Sequence, residues 1–407
     1  MIIPRSDRMA GVSYAIRGPV LDRAYELESQ GHKVLKLNIG NPGVFGFNAD
    51  KTLLNAMKDN LLGLEGGQSY SHSKGVEEVR ATIAEYHIKR GAKNLTSNDV
   101  YIGNGASELI TACMQALLNS GDEVLLPAPD YPLWTAAVNL QRAKAVHYIC
   151  NEEDDWNPDV SDIEARITSK TRAIVIINPN NPTGANYSEK VLREIVGIAR
   201  KYELLIFSDE IYDRILYDGE IHHSIAEFAG DHPCFIFNGI SKTHLACGFR
   251  GGWLAVCGDK SELGDYLDGL TTLLSMRLCS NVPAQFACKA ALEADYQMDN
   301  FIVPGGRLYE QNTVATKLLN EIDGISCVKA KGALYLFPKI DTKKFNITSD
   351  KQFVMDFLTE KKVLLVNGTG FNWIAPDHFR LVFLPEVPVL EDAIGRLKEF
   401  LSTYRQK

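Results

Sequence analysis

The sequence has no excess of positive charge. Its 407 residues include 43 Lys and Arg against 51 Asp and Glu, which gives a formal net charge of -8 at pH 7. Contact with a nucleic-acid backbone or an anionic membrane surface requires clustered basic residues. We therefore expect neither nucleic acid nor membrane among the partners of this protein.

Long hydrophobic runs are also missing. A helix that crosses a bilayer needs roughly 18 or more consecutive apolar residues, and no run in this sequence approaches that length. The N-terminal segment MIIPRSDRMAGVSY carries charges where a secretory signal would be apolar. The sequence therefore predicts a soluble protein that stays in the cytoplasm.

No two cysteines form a C-x-x-C pair, so neither a zinc site nor a redox motif is indicated. We predict no metal site, and we expect the cysteines to be small buried apolar residues in a reducing compartment. They lie singly along the chain at Cys113, Cys150, Cys234, Cys247, Cys257, Cys279, Cys288 and Cys327.

The residues that are present alternate between helical and strand-like patterns. Hydrophobic residues make up 45% and charged residues 23% of the chain, which is typical of globular proteins. Segments 18–31 and 75–91 carry apolar residues at helical spacing and end on Gly. Short apolar runs, which indicate strands, occupy 123–127, 173–178 and 204–209, and a helical stretch occupies 188–202. This alternation predicts an α/β fold with a parallel sheet covered on both faces.

Polar residues follow two of the apolar runs directly. The run AIVIIN leads into NPNNPTG, which carries Asn178, Asn180, Asn181 and Thr183. Asn, Pro and Gly are also ordinary turn formers, so a plain turn is an alternative. The run LLIFSD delivers Asp209 from a buried strand, where a carboxylate needs a donor or cationic partner. A helix N-cap is the other interpretation of Asp209.

A third apolar run, CFIFNGI, is followed by SKTHLACGFR, which places Ser241, Lys242 and Arg250 together. Lys242 taken alone could be a solvated loop lysine. The segment YIGNGASELI predicts a strand, a turn at Gly105 and a helix, whose first amides can bind an anion. A lysine, an acid, a phosphate cradle and an asparagine loop at strand ends are the groups that pyridoxal 5'-phosphate requires.

NPNNPTG, DEIY and SKTHLACGFR, in this order, resemble the fold-type I pyridoxal-phosphate aminotransferases of the aspartate aminotransferase class. The resemblance covers nearly the whole chain. It implies an α/β large domain at 49–290 with a mostly parallel seven-stranded sheet, and a smaller α+β domain at 291–407 joined by an N-terminal arm at 1–48. Within the class, LNIGNP, PAPDYPLWTAAV, HHSIA and PGGRLYEQ are similar to bacterial glutamate–pyruvate (alanine) aminotransferases. Position 245 departs from that subgroup, because it is Leu where Arg would be expected. Related tyrosine aminotransferases resemble this chain in having Leu there.

The resemblance implies roles for individual residues. Lys242 would form a Schiff base with the cofactor and shuttle the proton, and Asp209 would keep the ring nitrogen protonated. Asn181 and Tyr212 would bond the phenolic oxygen of the ring, and Tyr131 would stack on the ring face. The phosphate would be held by Gly105, Ala106, Ser107, Ser241 and Arg250 of one subunit and by Tyr70 of its neighbour in a homodimer.

For the substrate, the resemblance assigns the α-carboxylate to Arg380 and to the backbone amide of Gly40, with Asn181 beside them. A surface cation is the alternative for Arg380. Tyr14 and Arg17 are candidates for selecting the side chain of glutamate, and a structural ion pair is the alternative for Arg17.

We expect a transaminase that exchanges the amino group between L-alanine and 2-oxoglutarate by a ping-pong mechanism. Alternatives are another aminotransferase specificity (aspartate, aromatic or branched-chain) and a β-C–S lyase on the same fold. A non-catalytic regulatory relative would carry a basic DNA-binding segment, which this chain does not have.

Overall fold

The computed structural model describes residues 3–12, 18–63, 67–294 and 298–407. The strands are, in chain order, β1 (Leu35–Lys36), β2 (Val100–Asn104), β3 (Glu123–Ala128), β4 (Lys144–Asn151), β5 (Asn157–Pro158), β6 (Thr171–Ile177), β7 (Leu205–Asp209), β8 (Cys234–Gly239), β9 (Gly251–Cys257), β10 (Ile325–Ser326), β11 (Tyr335–Leu336), β12 (Lys339–Ile340), β13 (Val363–Leu364), β14 (Val366–Asn367) and β15 (Phe379–Val382). The α-helices are α1 (Pro19–Ser29), α2 (Lys51–Leu61), α3 (Glu77–Ile88), α4 (Ala106–Leu117), α5 (Pro132–Asn139), α6 (Val160–Ala165), α7 (Glu189–Lys201), α8 (Ala226–Ala229), α9 (Gly264–Met276), α10 (Val282–Glu293), α11 (Asp299–Ile302), α12 (Arg307–Asn320), α13 (Asp350–Lys361) and α14 (Val387–Thr403).

Helix α7 shows how the sequence pattern produces these elements. Ser188 precedes it, and the Ser188 hydroxyl accepts a hydrogen bond from the Val191 amide, which caps the first turn. Its apolar residues recur at helical spacing and are buried, including Leu192 and Ile195, whereas Lys190 and Arg193 are exposed. The helix therefore packs one face against the sheet.

The described residues form a largest sheet of eight strands in the order β2-β9-β8-β7-β6-β3-β4-β5. Adjacent pairs from β8 to β4 are parallel, whereas β9 is antiparallel to both β8 and β2. Strands β6 and β8 are almost entirely buried because helices cover both faces. The prediction of a mostly parallel α/β sheet is confirmed. Its seven longer strands match the expected number, and the two-residue β5 adds an eighth at one edge.

A second apolar core lies outside the large sheet. It joins the buried face of α1, including Val20, Ala24 and Leu27, to residues of α12, α13, α14 and strands β11, β12, β13 and β15. The N-terminal helix therefore packs with the C-terminal part of the chain, as an arm at 1–48 would. The exact division into 1–48, 49–290 and 291–407 stays a prediction.

Among the helices that the structure describes, none combines the length and apolar character needed to cross a lipid bilayer.

Candidate active site

A cavity of about 340 Å³ lies at the carboxyl end of the large sheet. Strands β6 and β7 end there at Ile177 and Asp209, which both line it. Lys242, just beyond the end of β8, lines it as well. The strand-end residues selected from the sequence therefore lie together. They do so at the edge where open α/β sheets bind ligands.

The first turn of α4 forms one end of the cavity. Strand β2 enters this turn through Gly105, whose φ of +83° is a conformation that favours glycine. No side chain caps α4, and its first residues, Ala106 and Ser107, line the cavity. Their backbone amides and the helix dipole make this end attractive to an anion.

Arg250 completes this end of the cavity. It immediately precedes β9, and the strand register pairs Gly251 with Asn104, so Arg250 lies beside the Gly105 turn. Its guanidinium donates to the Cys247 carbonyl at 2.9 Å and to the Asn104 carbonyl at 3.3 Å. A Cβ atom on Gly105 would collide with the guanidinium. We call the set Gly105, Ala106, Ser107, Ser241 and Arg250 the anion cradle, and apart from Gly105, which shapes the turn, all of them line the cavity.

Asp209, at the end of β7, also lines the cavity and is only 4% exposed. One carboxylate oxygen accepts from the Trp134 indole at 3.2 Å and the other from the Ile211 amide at 3.4 Å. Burial raises the pKa of Asp209 to about 6, and these two neutral donors oppose the rise. Turns rather than a helix follow β7, so Asp209 is not a helix cap. A cationic partner would stabilise this carboxylate.

Lys242 is half-buried in the wall of the cavity. Its ammonium donates to the Gly40 carbonyl at 2.6 Å. This partner is neutral, so the hydrogen bond does not tie the amine into an ion pair. The position in the cavity wall does not fit a solvated loop lysine.

The asparagine loop divides into structural and site residues. The Asn180 side chain accepts from the Thr183 amide and hydroxyl and donates to the Tyr187 hydroxyl, and the Asn178 side chain accepts from the Tyr187 amide. These bonds hold the turn in place. Asn181 instead lines the cavity, and its side-chain amide oxygen accepts a hydrogen bond from the Arg380 guanidinium at 2.9 Å.

Arg380 is 2% exposed, so it is not a surface cation. Its guanidinium donates to the Asn181 side chain and to the Asn38 backbone carbonyl, and it lies over the rings of Tyr335 and Phe371, 4.5 Å from each centroid. Arg380 lies behind the wall that Asn181 and Tyr335 form rather than among the lining residues. An anion in the cavity would reach it by exchanging with one of its present acceptors.

Tyr212 and Tyr335 meet in the wall of the cavity. Their hydroxyl oxygens are 2.7 Å apart, and their rings pack edge to face. Burial, followed by the neighbouring Tyr335, raises the pKa of Tyr212 well above its usual value. Tyr212 is therefore a neutral hydrogen-bond donor at all working pH values.

The remaining predicted residues are placed as follows. Tyr131 and Gly40 line the cavity. Tyr70 is 79% exposed and is not among the described residues that line the cavity of its own chain. Tyr14 and Arg17 lie outside the described residues.

Sequence reasoning missed several residues of the site. Tyr335 sits in GALYLFPK and Phe371 in GTGFNW, and both look like ordinary apolar positions. Trp134 lies three residues after Tyr131 in the first turn of α5, a helical spacing that would have placed the two side chains near each other. For Asn38 the contact is through its backbone carbonyl, for which no sequence signal exists.

The chain belongs to the class I and II aminotransferases, whose family model matches residues 32–397. It is 56% identical over 404 residues to glutamate-pyruvate aminotransferase AlaA of Escherichia coli, covering 99% of each chain. Among solved structures, an aminotransferase from Escherichia coli has a TM-score of 0.98 at 55% identity, with 100% of both chains covered. The alanine aminotransferase of Pyrococcus furiosus has a TM-score of 0.93 at 40% identity, covering 98% of this chain and 100% of the other.

Proposed function

We propose that this protein is a pyridoxal-phosphate-dependent transaminase that converts L-alanine and 2-oxoglutarate to pyruvate and L-glutamate. The observation that carries the proposal is the grouping of Lys242, Asp209 and the anion cradle around one cavity, with Arg380 behind its wall. The specificity rests on the named activities of the similar proteins from Escherichia coli and Pyrococcus furiosus.

Two groups of residues around the cavity fit pyridoxal phosphate. The anion cradle offers uncapped helix amides and a guanidinium to a phosphate. Asp209 offers a carboxylate, whose pKa is raised by burial, to a protonated ring nitrogen. When bound, pyridoxal phosphate supplies a carbonyl carbon for amine exchange and a ring that accepts electrons.

The chain's own groups supply the rest of the chemistry. Lys242 acts as the amine that holds the cofactor and then moves the proton at the substrate Cα. Asp209 holds the proton on the ring nitrogen. Tyr212 and Asn181 donate to the phenolic oxygen, and Tyr131 packs on the ring face. These assignments need the Asn181 side-chain nitrogen to face the cavity while the side-chain oxygen accepts from Arg380. The hydrogen bond from Arg380 to that oxygen leaves the nitrogen free to do so.

Arg380 is the proposed clamp for the α-carboxylate of both substrates. Its fork matches two carboxylate oxygens, which a lysine would not. Gly40 adds a backbone amide at the same place. Tyr14 and Arg17 remain the candidates for recognising the γ-carboxylate of glutamate.

We further propose a homodimer with shared active sites. Tyr70 is exposed in its own chain, as are Met276 and Leu278 at 77% and 51%. Arg277, between the latter two, donates to the Ser73 carbonyl, so these residues form one surface. A second copy on this surface would bury the apolar side chains and bring Tyr70 to the partner's anion cradle.

For the compartment we propose the cytoplasm. All eight cysteines are free, and six of them are buried, as expected in a reducing environment.

The test is a panel of half-reactions with the purified, cofactor-loaded protein. L-alanine and L-glutamate should each change the visible absorbance of the bound cofactor, whereas D-alanine should not. Pyruvate or 2-oxoglutarate should then restore the original absorbance. Release of pyruvate and ammonia from cystathionine without any oxo acid would instead indicate a β-lyase. Faster reaction with aspartate or aromatic amino acids would overturn the alanine specificity alone.

A further inference from the structure

Tyr335 joins the two halves of the site that the proposed function uses. Its strand β11 pairs antiparallel with β15, with Tyr335 opposite Val382. Arg380 lies two residues before Val382, so its side chain projects on the same face of β15. Tyr335 and Arg380 are therefore diagonal neighbours, which explains why the guanidinium stacks on the Tyr335 ring at 4.5 Å.

The hydroxyl of Tyr335 points the other way, toward Tyr212. The two oxygens are 2.7 Å apart, and both residues are at most 3% exposed. Close packing holds the Tyr335 hydroxyl there, because a Cβ atom on Gly40 would collide with it. One side chain thus contacts a proposed ligand of the cofactor and the proposed clamp of the substrate.

In a hydrogen bond between two hydroxyls, one hydroxyl donates its proton and the other accepts it. If Tyr212 were the donor in this pair, its proton would point at Tyr335 and not into the cavity. If Tyr335 donates, the Tyr212 proton is free for an acceptor in the cavity. The hydrogen bond that the Tyr212 oxygen accepts also polarises the Tyr212 hydroxyl, which makes it a stronger donor.

We propose that Tyr335 is a positioning residue that donates to Tyr212, directing the Tyr212 proton to the phenolic oxygen of the cofactor, and that its ring holds Arg380 in place. The inference rests on the proposed function, because it assumes that pyridoxal phosphate occupies the cavity. The hydroxyl and the ring have separate effects, so two substitutions can separate them.

Tyr335→Phe removes only the hydroxyl. A weaker bond from Tyr212 leaves more negative charge on the phenolic oxygen, so the neighbouring Lys242 nitrogen keeps its proton to higher pH. We expect the pH midpoint of the visible absorbance of the loaded protein to rise by about half a unit. The kcat should fall about threefold to tenfold, with KM for both amino acids within about twofold of the wild type.

Tyr335→Leu removes the ring as well. It should show the same rise of the midpoint and, in addition, raise KM for L-alanine and L-glutamate by about tenfold, since both present an α-carboxylate. Phe371→Leu is the matched control, because the Phe371 ring also contacts the Arg380 guanidinium, 4.5 Å from its centroid. It should raise KM without moving the midpoint, and Tyr212→Phe should give the largest rise of the midpoint.

A wild-type midpoint in Tyr335→Phe would overturn the inference and leave the proposed function standing. An equal rise in Phe371→Leu would also overturn it, because the effect would then come from general loosening of the site. A wild-type protein that takes up no pyridoxal phosphate would overturn the proposed function and this inference together. Melting curves of each variant show that it is folded before these measurements are compared.

Discussion

Asp209 has an environment that disfavours its charge as long as no cation reaches it. The pKa of about 6 exceeds the ordinary value of 3.8, so the folded cofactor-free protein binds a proton there more tightly than the unfolded chain does. Stability of this form therefore falls as pH rises from about 4 to about 6 and stays reduced above that, by on the order of 2 to 3 kcal/mol. A protonated ring nitrogen would remove this cost.

Asp209→Asn should consequently stabilise the cofactor-free protein at pH 8 but not at pH 4, and it should lower kcat of the loaded protein by several orders of magnitude. The melting temperature at the two pH values and steady-state rates are the measurements. Asp213→Asn is the control, because that buried carboxylate accepts from the Tyr86 hydroxyl at 2.5 Å and lies 3.7 Å from Arg90. Losing these contacts should lower stability. A near-normal kcat in Asp209→Asn would refute its role.

At the level of single residues, the sequence was informative where chemistry follows a strand end. Asp209, Lys242 and Asn181 follow buried apolar runs, and the parallel sheet brings such positions to one edge. Tyr335 and Phe371 could not be selected, because their contacts with Arg380 depend on the pairing of β11 with β15 and on the packing of the segment that carries Phe371. The apolar pattern around them is the same as that of ordinary core residues.

The turn between β2 and α4 is the element on which the anion cradle depends. Gly105 has φ +83° and ψ 159°, a conformation nearly restricted to glycine, and a Cβ atom would also meet the Arg250 guanidinium. The strand-turn-helix pattern was readable from YIGNGASELI. The approach of Arg250 was not, since it depends on the antiparallel pairing of β2 with β9.

We predict that Gly105→Ala weakens pyridoxal-phosphate binding by about tenfold or more, through displacement of Arg250. Gly121→Ala is the control, because Gly121 has φ +88° with no atom near the site of a Cβ. Gly121→Ala also places a Cβ on a residue with positive φ and should leave cofactor affinity unchanged. Equal losses of affinity in the two variants would mean that strain alone, not the cradle, explains the effect. Titration of the cofactor-free protein followed by visible absorbance measures both.

For the whole molecule, the chain order of helices and strands was predictable, whereas the proposed sharing of the site between chains cannot be derived from a single chain. Apolar runs indicated β3, β6 and β7, and each is a strand of the large sheet. The packing of α1 with the C-terminal core joins residues far apart in the sequence, and local patterns carry no information on such contacts. The same holds for Tyr70, because its proposed contact is with another subunit.

If Tyr70 acts across the interface, Tyr70→Phe and Lys242→Ala subunits should complement each other. In a mixed dimer one site would carry both defects and the other neither, so about half of the wild-type activity per dimer should appear after subunit exchange. Activity that stays at the level of Tyr70→Phe alone would place the tyrosine in its own site. A fully active monomer in sedimentation would contradict the shared site altogether. Stable interfaces of this kind bury on the order of 2,000 Å² or more.

The attachment of the cofactor to Lys242 can be measured by borohydride reduction of the loaded protein, followed by peptide mass mapping. The visible absorbance should be lost, and the added mass of reduced pyridoxal phosphate should lie on the peptide containing Lys242, with none on this peptide in Lys242→Ala. Added mass on another lysine of the wild-type protein, or no added mass at all, would show that Lys242 does not carry the cofactor.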